Sequence, residues 1–279
     1  GAPANRRVGL AYTPRCVMRL VSFDPFRGLG LAQQFVKPEH WLRELPLLRA
    51  ADVLLYPQSW QVNGLCHVLR KEIFPNLASY RLGWDKIEMT RAFQLAVPDA
   101  LPETLILPAN ELGAEQALDL LGLPLVVKEP RNSMGRGVAL IQSRCELLRW
   151  VDRAEILYAQ QYLPNTGDVR VVWVGRQVAA AYWRRNAQGF HNNVARGGEI
   201  DFSGVPAAAV ELVQRTAPLL GVDHAGFDVM MVDGHALLLE FNVLFGNDAL
   251  NQAGIDLKPL ILDYLASAYR PPLQPPRAA

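Results

Sequence analysis

Three side chains that carry oxygen ligands lie close together near the end of the chain. Asp228, Glu240 and Asn242 belong to the segment GFDVMMVDGHALLLEFN, in which Asp233-Gly234 is a turn signal between two strand-like runs. Two carboxylates and an amide are hard oxygen ligands, and Mg²⁺ prefers carboxylates combined with substrate phosphates to a cage made only of protein. The segment therefore predicts a β-hairpin that carries a magnesium site.

The length of the turn decides whether the three ligands share one face of this hairpin. Glu240 and Asn242 are two residues apart, so they share a face of their strand. A two-residue loop would pair Asp228 with Leu239 and turn Glu240 to the other side. We therefore predict an odd loop, such as a three-residue turn with glycine in the left-handed conformation. The alternative is that Asp228 caps a strand end and Glu240 makes an ion pair, although a carboxylate that follows three leucines is costly to bury without a cation.

A lysine and a glycine-containing segment are candidates for binding phosphate. Lys128 ends the apolar run LPLVV, so its ammonium group emerges at a strand terminus, and NSMGRGV follows at residues 132–138. Gly135 and Gly137 would let backbone N–H groups approach an anion, and Ser133 adds a hydroxyl group. The segment lacks the GxxxxGK[ST] spacing of a Walker A loop, and a flexible hairpin turn is the alternative. Its position directly after a strand-end lysine favours a lid over the phosphates of ATP.

Arginines form a second group of anion-binding candidates. Arg170 lies within the strand-like run DVRVVW, Arg184 and Arg185 end another strand, and Arg196 precedes two glycines. Adjacent residues of a strand face opposite ways, so at most one of Arg184 and Arg185 enters a common site, and the sequence leaves open which. The planar guanidinium donates paired hydrogen bonds to phosphate or carboxylate. Ordinary surface ion pairs are the alternative for each arginine.

The roles of two further segments depend on how the chain folds. Lys86 lies near the start of a predicted helix, and by itself it is a surface lysine. QQYL, residues 160–163, follows a predicted strand. Backbone groups there could hydrogen-bond to the edge of an adenine while Tyr162 or Leu163 packs against the ring.

The composition indicates a protein with a sizeable core and no unusual bulk charge. Half of the 279 residues are hydrophobic, and the net charge of +1 gives no indication of a nucleic-acid or membrane partner. The three scattered cysteines favour a reducing cytoplasmic setting, and the five scattered histidines argue against zinc. No apolar run reaches the ~18 residues of a membrane span. The ending PPLQPPRAA predicts a disordered tail at residues 271–279.

Alternating strand-like and helix-like segments place the chain in the α/β or α+β class. Strands are predicted at residues 7–12, 52–56, 101–107, 123–130, 137–141, 155–163, 168–175 and 177–185. Helices are predicted at residues 62–72, 84–96, 111–121, 143–153, 206–220 and 257–269.

In this order the motifs resemble those of the RimK-type ATP-grasp carboxylate–amine ligases, close in pattern to glutathione synthetase. The resemblance covers about two thirds of the chain, from Asp85 to about Tyr269. It rests on Asp85-Lys86, Val127-Lys128 with SMGRGV, AQQYL, DVR, the paired arginines, NxxRGG at 193–198 and D…ExN at 228–242. It implies an α/β ATP-grasp fold with a small N-terminal α/β pre-ATP-grasp domain.

The resemblance gives each candidate residue a role. Lys86 and Lys128 would bind the phosphates of ATP, under a mobile loop that includes Ser133, Gly135, Arg136 and Gly137. The hinge that grips adenine would be Gln161, Tyr162 and Leu163. The γ-phosphate and the substrate carboxylate would be oriented by Arg170, Arg184 or Arg185, Asn193 and Arg196. One or two Mg²⁺ ions, or Mn²⁺ instead, would be held by Asp228, Glu240 and Asn242.

The implied reaction is a ligation that releases ADP. ATP phosphorylates a carboxylate to an acyl phosphate, and an amine then displaces phosphate to leave an amide. A non-catalytic ATP-binding module and a phosphotransferase that makes no amide are the alternatives. The near-neutral charge favours small-molecule carboxylate and amine substrates, or a peptide, over a protein or nucleic acid. Relatives often assemble as dimers or tetramers, so a homo-oligomer is compatible with the resemblance.

The resemblance also implies boundaries and shows departures. The N-terminal domain would occupy residues 1–80, and the two ATP-grasp subdomains residues 81–160 and 161–270. Gln161 stands where the family often has an acidic residue, and His191 stands where the relatives tend to carry arginine. Val-Leu-Phe-Gly at residues 243–246 replaces the usual Ser-Pro-Gly near the acceptor side, so the resemblance leaves the substrate specificity open.

Overall fold

The computed structural model describes residues 18–131, 137–165, 167–185 and 199–269. The strand predicted at residues 7–12 and the tail predicted at 271–279 lie outside these residues. The strands within them form three sheets. None of the helices in these segments has the length and apolar character needed to cross a lipid bilayer.

The first sheet is parallel. Its strands are β1 (Leu20–Ser22), β2 (Gln34–Phe35), β3 (Val53–Leu55) and β4 (Glu72–Phe74), in the spatial order β2-β1-β3-β4. Two short helices, α1 (Leu45–Ala50) and α2 (Ser59–Asn63), lie in its connections. A 3₁₀ helix at Pro38–Glu44 precedes α1. The strand β3 is an uninterrupted apolar run that is buried along its whole length, as is usual for a parallel strand covered on both faces.

The helix predicted at residues 62–72 starts earlier and ends sooner in the structure. Its start is fixed by a reciprocal cap, in which the backbone N–H of Gln58 donates to the side chain of Gln61 at 2.9 Å. The helix continues as a π-helical turn over Gly64–Val68. Arg70 then takes a left-handed φ of 54°, which ends the helical course before β4 begins.

The helix predicted at residues 84–96 corresponds to α4 (Lys86–Ala96), which begins two residues later than predicted, and a second helix, α3 (Leu77–Trp84), precedes it. Asp85 separates them, because its backbone is extended and its carboxylate caps α4 by accepting from the N–H groups of Ile87 and Glu88 at 2.8 and 3.4 Å. The helix α3, which the sequence reading missed, begins at its own cap, Asn76.

The second sheet is antiparallel. Its strands are β5 (Thr104–Pro108), β6 (Leu125–Lys128), β7 (Val138–Ile141) and β8 (Ile156–Gln161), in the order β5-β8-β6-β7. The helices α5 (Glu111–Leu121) and α6 (Arg144–Val151) pack against it and share its apolar core. The bounds of α5 are those predicted from the sequence.

The third sheet is the largest, and all its neighbouring strands are antiparallel. Its strands are β9 (Gly167–Val174), β10 (Gln177–Arg185), β11 (Glu199–Asp201), β12 (His224–Val232) and β13 (His235–Asn242), in the order β11-β10-β9-β12-β13. The remaining described helices are α7 (Ala207–Leu220), α8 (Asp248–Gln252) and α9 (Lys258–Ala268). The domain boundaries predicted at residues 80, 160 and 270 stay a prediction.

The alternation of side chains along β9 separates two cores. Val169, Val171 and Trp173 pack with α4 and α7 on one face of the third sheet. Val172 and Val174 point to the other face, where they pack with α9 and with apolar residues of the first sheet. Asp168 and Arg170 lie on this second face too, in the first half of β9, before Val172 and Val174. The polar site therefore begins where the apolar cover from the first sheet and α9 ends.

The prediction of an odd number of residues in the β12–β13 loop is wrong. Val232 pairs with His235, so the loop contains only Asp233 and Gly234, with left-handed φ angles of 49° and 80°. A β-bulge next to Glu240 compensates for the even loop. Asp228 pairs with Glu240, and the next pair joins Val229 to Leu238, so Leu239 is an extra residue in β13. The extra residue restores the shared face that the odd loop was expected to supply.

We predict that Gly234→Ala lowers the free energy of unfolding by about 1 kcal/mol, because alanine is strained in the left-handed conformation. A Cβ at Gly234 would meet no atom within 4 Å, so the cost is conformational rather than steric. Gly246→Ala is the matched control, since a Cβ there also meets open space and its backbone is not left-handed. Urea denaturation of both variants tests this, and equal stability of the two would contradict the two-residue turn.

Candidate active site

Four charged side chains are buried together where β9, β10 and β12 run side by side. Arg170 Nε lies 2.5 Å from Asp228 Oδ1, and Arg184 Nη2 lies 2.9 Å from Asp228 Oδ2. The guanidinium of Arg184 also contacts Asp168 Oδ1 at 2.6 Å. None of these side chains is more than 12% exposed. Burial of single charges is costly, so the pairing of two arginines with two carboxylates is what makes this cluster stable.

The register of the sheet produces this cluster. Asp228 is the cross-strand neighbour of Arg170, and Arg184 is the neighbour of Asp168. Gly226 leaves room for the Arg170 side chain, because a Cβ at that position would lie 2.9 Å from Arg170 Cδ. The positions of the charges therefore follow from strand pairing and from one residue that lacks a side chain.

Burial and charge act in opposite directions on the two carboxylates. Burial alone would raise the pKa of Asp228, but the charges of Arg170 and Arg184 outweigh it and hold that pKa below its ordinary value. Burial raises the pKa of Asp168, and the negative charge of Asp228 adds to this, against the opposing effect of Arg184. Asp228 is thus the carboxylate that the arginines keep ionised.

The structure separates the adjacent pair of arginines. Arg184 enters the buried cluster, whereas the Arg185 side chain is 42% exposed. The Arg185 guanidinium lies 4.5 Å from the centre of the Trp183 ring, and its Nε lies 3.8 Å from Asp201. This geometry points to Arg184 as the member of the pair that faces the candidate site.

The bulge places the three predicted metal ligands on one face of the hairpin. Asp228 and Glu240 are cross-strand neighbours, and Asn242 is the neighbour of Gly226. The set of two carboxylates and one amide fits a hard cation such as Mg²⁺. Among the described residues no group of three or more His, Cys, Asp or Glu side chains is placed to hold a metal. A cation at this hairpin would therefore need further oxygen ligands, which is the situation in which phosphates complete a magnesium site.

Two lysines from other elements approach the same carboxylates. Lys128 is buried at the end of β6; burial lowers its pKa, and the charges of Glu240 and Asp228 oppose this. Lys86 is the first residue of α4; burial lowers its pKa, Glu240 opposes this, and Lys128 adds to it. The charge of Glu240 thus acts on both lysines. The second sheet, α4 and the third sheet thus contribute to one charged site.

Local contacts fix the two lysines in these positions. The backbone N–H of Lys86 donates to the carbonyl of Pro130 at 3.0 Å, which joins the start of α4 to the segment that follows β6. Lys128 Nζ lies 5.7 Å from the centre of the Tyr158 ring. The helix dipole disfavours a cation at a helix N-terminus and favours a bound anion there.

The predicted adenine segment lies partly inside a strand. β8 extends through Gln161, whose backbone N–H already donates to the carbonyl of Glu103 at 2.8 Å. Tyr162 and Leu163 follow the strand and are half-buried. The adenine role of this segment stays a prediction, and the N–H of Gln161 is engaged within the protein.

Several predicted site residues lie outside the described part of the chain. They are Ser133, Gly135, Arg136, Asn193 and Arg196, and His191 lies there too. Gly137 is described, with a left-handed φ of 74°, and its carbonyl accepts from the N–H of Glu129 at 2.6 Å. Conversely, Asp168 is a site residue to which the sequence reading gave no role. The signal was its position two residues before Arg170, on the same face of the strand.

A groove of about 630 Å³ lies beside the hairpin turn, away from this site. It is lined by parts of α7, the turn and the segment near Asp99, and none of the candidate residues lines it. The charged site is at the opposite end of the hairpin.

Comparison with protein families gives a match to the RimK-like ATP-grasp domain over residues 95–265. The chain belongs to this family. A probable alpha-L-glutamate ligase of Citrobacter koseri is 28% identical over 209 residues, with 69% of each chain covered. A probable alpha-L-glutamate ligase of Pasteurella multocida is 26% identical, with 67% of this chain and 61% of the relative covered. A ribosomal protein bS6–L-glutamate ligase of Escherichia coli O1:K1 is 31% identical, with 49% and 48% covered. The chain thus spans between about half and two thirds of the length of these relatives.

Solved structures agree with this family assignment at the level of the fold. A RimK domain ATP-grasp protein of Sphaerobacter thermophilus is 20% identical with a TM-score of 0.64, over 88% of this chain and 98% of that one. The D-alanine–D-alanine ligase of Bacillus anthracis complexed with ATP is 16% identical with a TM-score of 0.63, over 90% and 96%. The predictions of the RimK-type family, the ATP-grasp fold and the ligase class are confirmed. The roles of individual residues stay predictions.

We predict that Arg184→Met lowers the free energy of unfolding by about 3–5 kcal/mol, because it leaves buried carboxylate charge without its partner. The adjacent Arg185→Met should change stability by less than about 1 kcal/mol, since exposed ion pairs contribute little. Urea denaturation of the two variants at neutral pH gives the comparison. Similar losses for both would contradict the separation of this pair in the structure.

Proposed function

We propose that the chain is an ATP-dependent carboxylate–amine ligase that forms an amide through an acyl phosphate and releases ADP. The observation that carries the proposal is that the charge of Glu240 acts on both Lys86 and Lys128, and that the charge of Asp228 acts on Lys128 as well. Lysines near a pair of carboxylates provide cations for the phosphates of a nucleoside triphosphate and oxygen ligands for its metal. The family match supports this assignment.

Each group in the site has a proposed task. Lys86 and Lys128 neutralise charge on the β- and γ-phosphates. Asp228, Glu240 and Asn242 would hold Mg²⁺, which would supply Lewis-acid stabilisation of the phosphate charge. Nε of Arg170 and Nε and Nη2 of Arg184 make the buried ion pairs. A guanidinium has further N–H donors, and these orient the substrate carboxylate and the transferring phosphoryl group.

The chemistry needs no covalent nucleophile from the protein. A carboxylate oxygen of the substrate attacks the γ-phosphorus, the new O–P bond forms, and the bond to ADP breaks. The amine nitrogen then attacks the acyl carbon, the C–N bond forms, phosphate leaves, and the nitrogen loses a proton. Positioning and charge stabilisation by the lysines and arginines are the protein's contributions. Exclusion of water protects the acyl phosphate from hydrolysis.

We propose L-glutamate as the first amine to test, because several relatives are named as glutamate ligases. One of them is named for joining L-glutamate to ribosomal protein bS6. The residues Val-Leu-Phe-Gly after Asn242 depart from the family's usual sequence, so a different acceptor is expected. Amino acids and short peptides remain the proposed carboxylate substrates, with a protein terminus as the rival.

The deciding experiment is ADP release with Mg-ATP over a panel of carboxylates, each with and without a set of amines that begins with L-glutamate. Mass spectrometry of the mixtures identifies products. ADP release that needs both partners, together with a new amide mass, supports the ligase. ADP release with a carboxylate alone and no amide indicates a phosphotransferase. ATP binding without ADP release under any pairing favours a non-catalytic module.

We predict that Lys128→Met raises the Kd for ATP about 10- to 100-fold, because a hydrogen bond to a charged group contributes about 1.5–3 kcal/mol. The control is Lys37→Met, which removes an exposed lysine between β2 and the 3₁₀ helix that follows it. Calorimetric titration with ATP compares the two. Unchanged affinity in Lys128→Met would contradict its phosphate-binding role.

We predict that Glu240→Gln abolishes ADP release while the protein stays folded, because the amide removes the charge that both lysines and the cation require. Glu155→Gln, at an exposed position before β8, is the control and should retain full turnover. Circular dichroism checks folding and a coupled assay checks ADP. Full turnover of the Glu240 variant would remove this residue from the metal site.

A further inference from the structure

The residues directly after Asn242 are held by side chains from elsewhere in the chain. We call residues 243–246 the Asn242 loop. The Val243 carbonyl is 2.8 Å from Nδ1 of His224. The carbonyls of Leu244 and Phe245 accept from Nη2 of Arg27 at 3.3 and 2.8 Å. Three consecutive backbone acceptors of the loop are therefore fixed by two side chains.

Arg27 lies in the loop that follows β1, and contacts within this loop fix its position. Asp24 Oδ1 accepts from the backbone N–H groups of Phe26 and Arg27 at 2.9 Å each, and Asp24 Oδ2 lies 3.7 Å from Arg27 Nε. Ser22, the last residue of β1, donates its hydroxyl to the Asp24 carbonyl at 2.8 Å. The guanidinium thus reaches the Asn242 loop from an ordered turn at the carboxyl end of β1.

His224 anchors the loop from the third sheet. Its ring stacks on Phe245 with 4.8 Å between ring centres and an angle of 16° between planes. Phe74 and Tyr56, at the ends of β4 and β3, contact the same imidazole edge-on at 5.3 and 6.0 Å. Burial lowers the pKa of His224 to about 4, so the ring is neutral near pH 7, and its Nδ1–H donates to the Val243 carbonyl.

Helix α3 packs against the loop from another direction. A Cβ at Gly83 would overlap Val243 Cγ2 and lie 3.2 Å from the Phe241 ring. Gly83 is two residues before Asp85 and three before Lys86. The end of β13 is therefore enclosed by α3, by His224 and by the Arg27 turn.

We propose that Arg27 and His224 are positioning residues for the predicted metal ligand Asn242. The inference rests on the proposed function, and it assigns a task to the N-terminal part of the chain. Asn242 is the last residue of β13, so the direction of its side chain depends on where the chain goes next. Arg27 and His224 fix that course through the backbone carbonyls of residues 243–245. The first sheet thereby sets the geometry of a ligand that the third sheet carries.

The test compares metal binding with metal-free nucleotide binding in the full chain. Mn²⁺ binding is measured by electron paramagnetic resonance in the presence of ADP, and ADP affinity is measured separately in EDTA. Arg27→Met should weaken Mn²⁺ binding about tenfold, the lower end of losses on removing groups that orient metal ligands. ADP affinity in EDTA should be unchanged, because the lysines are untouched. Arg27→Lys should recover part of the Mn²⁺ affinity.

Arg19→Met is the matched control, because Arg19 lies in the same sheet region but is 67% exposed and pairs only with Asp52 among the described residues. If Arg27→Met fails to fold, Gly83→Ala displaces Val243 from the other side and should weaken Mn²⁺ binding in the same way. Wild-type Mn²⁺ affinity in a folded Arg27→Met, or an equal loss of ADP affinity in EDTA, would overturn the positioning role. Wild-type protein that binds no Mn²⁺ with ADP would instead overturn the metal site of the proposed function.

Discussion

The Asp228 carboxylate lies between Arg170 and Arg184, and the third sheet must keep these charges together. Each of them is buried, so a shift of strand register would leave charge without a partner in the interior. The same register orients everything else on that face: Glu240 stands beside Asp228, and Asn242 stands beside Gly226. The ion pairs therefore stabilise the register of β9, β10 and β12, and the pairing of β12 with β13 places Glu240 and Asn242 on the same face.

The three sheets meet at this face for different physical reasons. The first sheet packs its apolar residues against Val172 and Val174, farther along the strand that carries Arg170. The second sheet supplies Lys128, whose burial is tolerable because the carboxylates of the third sheet lie nearby. Lys86 is the first residue of α4, and the N-cap Asp85 fixes where this helix begins. Hydrophobic packing brings the sheets together, and opposite charges fix where their polar ends meet.

The sequence predicted those features of the fold and of the site that depend on local pattern. The hairpin, the strand-end lysine and α5 were found because apolar runs, turn signals and helix caps are short-range features. The turn length was wrong because the bulge at β13 reflects tertiary contacts. Leu238 is fully buried in the core and donates its N–H to the carbonyl of Ala100, far away in the chain. Arg27 was missed for the same reason, since its partners lie in a loop at the other end of the sequence.

We propose that the lysines and the hairpin carboxylates form one site for a nucleotide and its metal. A crystal structure with Mg²⁺ and a non-hydrolysable ATP analogue would decide this. We expect metal density within coordination distance of Asp228, Glu240 and Asn242, about 2.0–2.1 Å, with the phosphates against Lys86 and Lys128. Nucleotide bound in the groove beside the hairpin turn, or metal coordinated by other residues, would contradict it.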